Sequence, residues 1–208
     1  MADEEKIPIL QNNDLKEKKQ IKLILCGDYG SGKTSLLERH VSNSFQEGRQ
    51  SSKNMSKVKL NIKIKQKIES LLIWDTNGEE KYQSLQMNHF RNADCAIIIF
   101  DVSKESSFES LEYWYKMVRL YAPTIPILVA GNKYDKRVMI SFDEASYFCE
   151  KNDCDLIYCS AKTGLNVNKA FRQIVQSHFN IKNDGEIDEN EDESLVMKNN
   201  RCRCCNLL

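Results

Sequence analysis

Residues 27–34 form the stretch of this sequence with the clearest chemistry. They spell Gly-Asp-Tyr-Gly-Ser-Gly-Lys-Thr, which matches the phosphate-loop pattern GxxxxGK[ST]. An apolar run, IKLILC, precedes them and an amphipathic run follows, so the pattern lies between a predicted strand and a predicted helix. Small residues let backbone N–H groups turn inward around phosphate oxygens, and the helix directs its positive dipole end at the same anion. We expect phosphate to be bound by this loop and the residue after it: Gly27, Asp28, Tyr29, Gly30, Ser31, Gly32, Lys33, Thr34 and Ser35.

A magnesium site is predicted beside this loop. Lys33 supplies a point charge for the β- and γ-phosphates, and the Thr34 hydroxyl supplies a hard oxygen ligand. Asp75 ends the apolar run SLLIWD, and ligands of open α/β sheets bind at the carboxyl ends of strands. Alone, Asp75 could be a solvated acid at a strand end, but together with Thr34 it is predicted to bind the metal.

Two further strand ends carry residues suited to a nucleotide base. They are Asn132-Lys133-Tyr134-Asp135 and Ser160-Ala161-Lys162. An ionised carboxylate only accepts hydrogen bonds, so Asp135 is expected to accept two N–H donors from one edge of a base. Guanine offers two such donors side by side and adenine does not, which disfavours an ATP-dependent P-loop enzyme. Either short pattern alone is most often an ordinary loop.

The elements that position these residues alternate along the chain. Short apolar runs followed by amphipathic runs predict strands joined by helical crossovers in a parallel sheet. The run 96–100 is apolar at every position, as in a central strand covered on both faces. In contrast, residues 58–65 alternate apolar and polar, which predicts an antiparallel edge strand with one face in water. Val167, Ala170, Phe171, Ile174 and Val175 recur at helical spacing and are predicted to pack on the sheet.

Composition sets the domain boundaries. The chain has 208 residues, enough for one core with tails, and 30 basic against 30 acidic side chains give no net attraction to nucleic acid. We predict a flexible arm over 1–19, one domain over 20–180 and a tail over 181–208 that is strongly acidic between 184 and 193.

The acidic start does not resemble a secretory signal, so we expect a reducing compartment. In such a compartment, the cysteines of the domain are expected to behave as small apolar residues: Cys26, Cys95, Cys149, Cys154 and Cys159.

These motifs together resemble the Ras superfamily of small GTPases over about residues 20–180. WDTNGE, FRNAD at 90–94 and the cysteine-rich end are most similar to the Rab family. The resemblance implies a P-loop α/β G domain: a six-stranded, mostly parallel sheet with one antiparallel edge strand and helices on both faces. It also implies binding of GTP and GDP with Mg²⁺, and two loops that order around the γ-phosphate.

The same resemblance assigns roles around the base. It implies that Asn132 and Asp135 contact guanine and that Lys133 and Lys162 lie along the nucleotide. The backbone amide of Ala161, which follows Ser160 in the third motif, would meet the guanine oxygen. Phe45 corresponds to the aromatic residue at the edge of the base, with a packing residue after the first helix as the alternative.

Four departures from the family pattern bear on activity. Glu79 stands where the family has a catalytic Gln, and an ionised carboxylate cannot donate a hydrogen bond to the attacking water. Tyr29 puts a bulky ring where a small residue is usual. The first of the two loops that order around the γ-phosphate, residues 46–58, contains no Thr, and Ser52, or alternatively Ser51, is predicted to reach Mg²⁺ in its place. The Rab effector sequence IGVDF, which usually follows that Thr, is missing. Gly78 is retained, so we expect the protein to switch between GDP and GTP forms but to hydrolyse GTP slowly. The residues predicted to take part in catalysis are Lys33, Gly78 and Glu79.

The carboxyl end predicts lipid attachment. Residues 205–208 fit the C-a-a-X prenylation pattern with Leu last, although Asn206 is polar where an aliphatic residue is preferred. Cys204 and Cys205 are the candidate sites, and palmitate on Cys204 is an alternative to a second prenyl group. Zinc binding by Cys202, Cys204 and Cys205 is disfavoured because no fourth ligand is nearby.

The function predicted from these patterns is a Rab-like GTPase in vesicle traffic. The resemblance implies effectors, an exchange factor and a GTPase-activating protein as partners of a monomeric G domain. The location implied is the cytosolic face of an endomembrane or the plasma membrane, with a soluble cytosolic pool. The alternative function is a membrane-docked recruitment module that holds GTP with little or no hydrolysis.

Overall fold

The structure is a computed structural model that describes residues 20–48, 56–64, 66–76 and 89–180. Within these residues, six strands form one sheet in the order β2-β3-β1-β4-β5-β6. They are β1 (Ile21–Cys26), β2 (Ser56–Ile64), β3 (Lys67–Asp75), β4 (Cys95–Asp101), β5 (Ile127–Asn132) and β6 (Asp155–Tyr158). The helices are α1 (Lys33–Ser42), α2 (Glu105–Glu109), α3 (Leu111–Tyr121), α4 (Phe142–Lys151) and α5 (Val167–His178).

The pairing of the strands confirms the predicted sheet. β2 pairs antiparallel with β3 along its whole length and lies at the edge, whereas β1, β3, β4, β5 and β6 are joined by parallel pairings. β4 is buried at every position, as its continuous apolar run predicts. The edge strand β2 alternates instead, because one of its faces packs on the core and the other is wet.

Helices cover both faces of the sheet. On one face, Leu36 and Leu37 of α1 and the five predicted residues of α5 share a core with β1, β3 and β4. On the other face, Trp114 of α3 and Ala145 of α4 pack with Phe90 and with side chains of β1, β4, β5 and β6. Because β1, β3, β4 and β5 run parallel, their carboxyl ends meet at one edge of the sheet.

The cysteines of the domain behave as apolar residues. Cys26, Cys95, Cys149 and Cys159 are buried, Cys154 is half-buried, and all five are free thiols. Burial raises the pKa of Cys26 and of Cys159 to about 12, so these thiols stay neutral. None of the helices in the described ranges is long and apolar enough to cross a membrane.

Several predictions fall on residues that the structure does not describe. They concern the arm over 1–19, the tail over 181–208 and the individual residues Ser51, Ser52, Gly78, Glu79, Cys204 and Cys205. The roles assigned to them above stay predictions.

Candidate nucleotide-binding site

The loop between β1 and α1 needs glycine at two points of close approach. Gly27 (φ +135°) lies against the backbone carbonyl of Ile99, and a Cβ there would collide with that oxygen. Gly32 (φ +96°) lies against the side-chain amide of Asn132, which a Cβ would equally displace. Both glycines also have φ values that L-residues rarely adopt, so the chain passes this close to β4 and β5 only because glycine stands at these positions.

Lys33 is held inside the loop rather than in solvent. It is 4% exposed, and its Nζ donates hydrogen bonds to the backbone oxygens of Gly27 (2.9 Å) and Asp28 (2.8 Å). Burial lowers the pKa of Lys33 to about 8, although the nearby Asp75 favours the charged form. A polyanion in front of the loop would favour the charged form, so the ammonium group fits a phosphate ligand.

Two of the three predicted metal ligands lie in contact, and the third, Ser52, is outside the described residues. Thr34 Oγ1 donates to Asp75 Oδ2 at 2.6 Å, and Asp75 is almost completely buried at the end of β3. The hydroxyls of Ser31 and Thr76 are buried beside them and have no hydrogen-bond partner among the described residues. A hydroxyl and a carboxylate supply the hard oxygen atoms that Mg²⁺ prefers, and orphaned hydroxyls are costly unless a ligand satisfies them. The donor set therefore fits a phosphate chain with Mg²⁺.

Asn132 joins the two halves of the site. Its Nδ2 donates to the backbone oxygen of Ser31 (2.9 Å), and its Oδ1 accepts from the backbone N–H of Ala161 (3.1 Å). Both ends of the amide, and the Ala161 N–H that was predicted to meet the guanine oxygen, are thus engaged within the protein. In this structure Asn132 fixes the phosphate loop relative to the loop after β6.

Asp135 is oriented by a neighbour from the third motif. Ser160 Oγ donates a short hydrogen bond to Asp135 Oδ1 and accepts one from the backbone N–H of Thr163 (3.1 Å). Since Ser160 is fully buried, the carboxylate is held at one oxygen while the group faces the cleft. This arrangement suits a carboxylate that must present acceptors to a base in a fixed direction.

The two lysines of these motifs have different environments. Lys133 Nζ donates to Gly30 O and to Asp101 Oδ2, both at 2.6 Å, and so ties the phosphate loop to β4. Lys162 is exposed and forms a 3.0 Å ion pair with Glu47, across the cleft from it. Phe45 lines the cleft and packs against the core, and its contact with the base stays a prediction.

A cavity of about 230 Å³ gathers most of the predicted residues. Its walls include Gly30, Gly32, Lys33, Thr34, Ser35, Phe45, Asn132, Lys133, Asp135, Ala161 and Lys162. Gly27, Asp28, Ser31, Asp75 and Ser160 are outside this lining and act through the contacts given above, whereas Tyr29 is 53% exposed. The phosphate, metal and base residues predicted from separate motifs are therefore brought to one cleft.

The comparison with protein families agrees with this geometry. A model of the Ras family matches residues 22–180, which is most of the chain. The chain belongs to the Ras family. Members of the Ras family are small GTPases, generally switches that bind guanine nucleotides with Mg²⁺ and work with regulators and effectors. The six-stranded sheet with one antiparallel pair is the small G domain fold.

Sequence reasoning missed three residues that support the Ras-family site. Thr76 lines the cavity, Asp101 accepts from Lys133, and Trp114 Nε1 donates to Asp28 Oδ1 at 2.7 Å. Asp101 ends an apolar strand just as Asp75 does, so the same pattern could have identified it. No sequence pattern indicates the hydrogen bond between Trp114 and Asp28, because the two residues are 86 positions apart and Trp114 lies on an ordinary amphipathic helix.

Proposed function

We propose that this Ras-family chain is a Rab-like GTP/GDP switch with slowed hydrolysis, which acts in vesicle traffic at the cytosolic face of a membrane. One observation carries the nucleotide part of the proposal. Lys33 at the phosphate loop, the Thr34–Asp75 pair and the oriented Asp135 all lie at one cleft.

Different residues of the cleft are proposed to bind the phosphates, the metal and the base of the nucleotide. The loop amides and Lys33 hold the phosphates, while Thr34 and Asp75 would hold Mg²⁺. Asp135 accepts the N–H donors of guanine, and Asn132 keeps the base and phosphate halves in register. When bound, Mg²⁺ neutralises charge on the β- and γ-phosphates.

Slow hydrolysis is supported by two departures from the family. Glu79 replaces the Gln that positions water, and a carboxylate brings negative charge towards a polyanion. Tyr29 is 53% exposed in the phosphate loop, where its ring can obstruct water or an arginine supplied by a partner. The same two residues support the second candidate function, a recruiter that holds GTP with little or no turnover.

The Rab-type and membrane parts of the proposal are supported by sequence. FRNAD, WDTNGE and the cysteine-rich end are similar to Rab proteins, and Cys204 and Cys205 are the candidate lipid sites. Two attached chains anchor a protein stably where one anchors only marginally. Lys198, Arg201 and Arg203 would favour an anionic membrane surface.

Competition between nucleotides tests the binding function. A fluorescent GDP analogue is displaced from the purified full-length chain by GTP, GDP or ATP in magnesium buffer. We expect GTP and GDP to compete at least about 10³-fold better than ATP, since Asp135 presents acceptors for two side-by-side N–H donors, which guanine offers and adenine does not. Equal competition by ATP, or no retention of guanine nucleotide, would refute the proposal.

Asp135→Asn sharpens this test. Its side-chain amide offers one donor and one acceptor, which match the C2 carbonyl and N1–H of xanthine rather than the two donors of guanine. We expect the variant to lose GDP affinity and gain affinity for xanthosine diphosphate, whereas Asp143→Asn on α4 leaves both unchanged. A turnover assay on the wild-type protein then separates a slow GTPase from the recruiter.

A further inference from the structure

One face of the β2–β3–β1 half of the sheet is rich in lysine. Lys57, Lys59 and Lys63 point to the same side of β2 and are exposed, and Lys22 occupies the same side of β1. We call this set with the β3 residues between them the lysine face. Its centre is apolar and includes Leu72 and Trp74, which lie opposite Lys59 and Lys57, and Ile68, which is 49% exposed opposite Lys63.

No acidic side chain belongs to this face in the described parts of the three strands. The remaining outward positions are Asn61 and Ser70, whereas Glu69 and Asp75 point to the opposite side. The charges therefore crowd each other around Trp74, whose ring lies 4.0 Å from Lys22 Nζ and 3.9 Å from Lys57 Nζ. Burial and then the charge of Lys57 lower the pKa of Lys22, although Asp94 opposes this. Burial and the same two lysines lower the pKa of His89.

The described chain ends beside the start of β4, next to Lys22, while α5 itself packs on the face of the sheet opposite to the lysine face. His178, the last residue of α5, has its Nδ1 3.1 Å from the backbone oxygen of Asp94. Asp94 in turn exchanges hydrogen bonds with Lys22, through its own N–H (2.9 Å) and its carboxylate (2.9 Å). Lys22 and Asp94 are thus one strand spacing apart, about 4.8 Å, and α5 ends beside Asp94.

A segment of complementary charge follows at once in the sequence. Between residues 184 and 193 there are seven acidic side chains: Asp184, Glu186, Asp188, Glu189, Glu191, Asp192 and Glu193. Three residues lie between Asn180 and Asp184, so these two can be up to about 14 Å apart, and the acidic segment itself can extend to about 35 Å. From Lys57 to Lys63, β2 is only about 20 Å long. The segment is therefore long enough to reach the face and to cover it.

The other surface near the end of α5 repels such a segment. A depression of about 720 Å³ at this edge is lined by Asp94, Asp153 and Asp155, with Arg119 as its only Lys or Arg side chain among the described residues. Of the two neighbouring surfaces, the lysine face alone has the opposite charge. Tethering raises the local concentration of the segment to about the millimolar range, so weak ion pairs suffice for docking.

We infer that residues 184–193 dock in cis on the lysine face and cover its cations and its apolar centre. This intramolecular contact goes beyond nucleotide binding and does not depend on it. It keeps a cationic and apolar surface of the domain from other anionic ligands until a competitor displaces the segment. Because it is held by charge, the contact weakens with ionic strength.

Zero-length carbodiimide cross-linking of the full-length chain tests the contact. The reagent joins carboxylates to amines that touch, and peptide mapping locates each link. We expect links from residues 184–193 to Lys57, Lys59 and Lys63, and their loss at about 1 M salt, where the Debye length falls to about 3 Å. Lys104 and Lys136 are exposed lysines elsewhere on the domain and serve as internal controls. Links spread evenly over all of these lysines would overturn the inference.

Two variants distinguish other occupants. Replacing the seven acids by Asn and Gln should increase quenching of Trp74 by iodide about twofold or more at about 0.1 M salt, with Trp74→Phe as the blank. Links that disappear on dilution would assign the face to a second copy of the chain and overturn the inference. Equal binding of wild-type and neutralised protein to phosphatidylserine vesicles would also overturn it, since a docked segment must compete with an anionic membrane.

Discussion

The indole Nε1 of Trp114 donates a hydrogen bond to Asp28 Oδ1 at 2.7 Å, and this contact joins α3 to the phosphate loop. The backbone oxygen of the same aspartate accepts from Lys33 Nζ at 2.8 Å. Trp114 is 1% exposed, so its ring is fixed by the core beneath it. The position of the lysine that faces the phosphates is therefore coupled, through Asp28, to the packing of a helix on the far side of β4.

Trp114→Phe should weaken this coupling, because a smaller aromatic ring remains while the indole N–H donor is lost. A hydrogen bond to a charged group is worth about 1.5–3 kcal/mol, so we expect the free energy of unfolding to fall by about that amount. We also expect faster release of bound GDP. Denaturant unfolding and release of a fluorescent GDP analogue measure the two effects.

A double-mutant cycle with Asp28→Ala isolates the contact from the smaller ring volume. If the two single changes sum to the double change in both measurements, Trp114 acts on the loop only by filling space.

The Asp101 carboxylate gives the domain a specific dependence on pH. Burial opposes its ionisation, but hydrogen bonds from Lys133 and Ser103 outweigh burial and hold the pKa of Asp101 below its usual 3.8. A carboxyl with a lowered pKa in the folded state stabilises the protein above its unfolded pKa, and this stability is lost as pH falls through the folded value.

Asp101→Asn should therefore lower the free energy of unfolding by about 1.5–3 kcal/mol near pH 6. The difference from wild type should vanish below the folded pKa, where Asp101 itself becomes neutral. Urea unfolding between about pH 7 and pH 2.5 at constant ionic strength measures it. Glu112→Gln, in the exposed pair with Lys116, is the control and should change stability by no more than about 0.5 kcal/mol. A difference that persists unchanged at the lowest pH would show that the ionised form is not what stabilises the fold.

The Glu47–Lys162 pair spans the mouth of the cleft and should slow nucleotide release. Its atoms are 3.0 Å apart, and the hydrogen bond and charge of Glu47 raise the pKa of Lys162. We expect Glu47→Gln to accelerate GDP release about two- to fivefold, the range of an exposed ion pair.

The charge-swapped double variant Glu47→Lys/Lys162→Glu tests the pair itself. It should recover part of the slow release if the ion pair acts as a bridge. Glu112→Gln is again the control, since it removes an exposed pair on α3 away from the cleft. Equal acceleration in the single and swapped variants would mean that the ion pair does not control nucleotide release.

The parts of the site predicted from sequence are those encoded locally. The phosphate loop and Asp75 could be placed because each follows directly on an apolar strand, and the edge strand because Val58, Leu60 and Ile62 alternate with polar residues. Contacts between distant elements could not be predicted. Ser160 orients Asp135 from 25 positions away along the chain. Asn132 uses both its amide nitrogen and its amide oxygen in hydrogen bonds to backbone groups of other loops. Which polar groups satisfy one another depends on how the helices pack on the sheet, which no short pattern encodes.

Glu79→Gln is the change that bears most directly on turnover. Under the proposed function, the amide, which both donates and accepts a hydrogen bond, would orient water towards the γ-phosphate, and the change would remove a negative charge facing the nucleotide. We expect single-turnover GTP hydrolysis to accelerate at least about tenfold, with GTP affinity little changed. Tyr29→Ser in the same background should add to the rate if the ring, exposed in the phosphate loop, obstructs the water. No gain from Glu79→Gln alone would place the defect elsewhere, and no gain from either change would favour the recruiter over the slow GTPase.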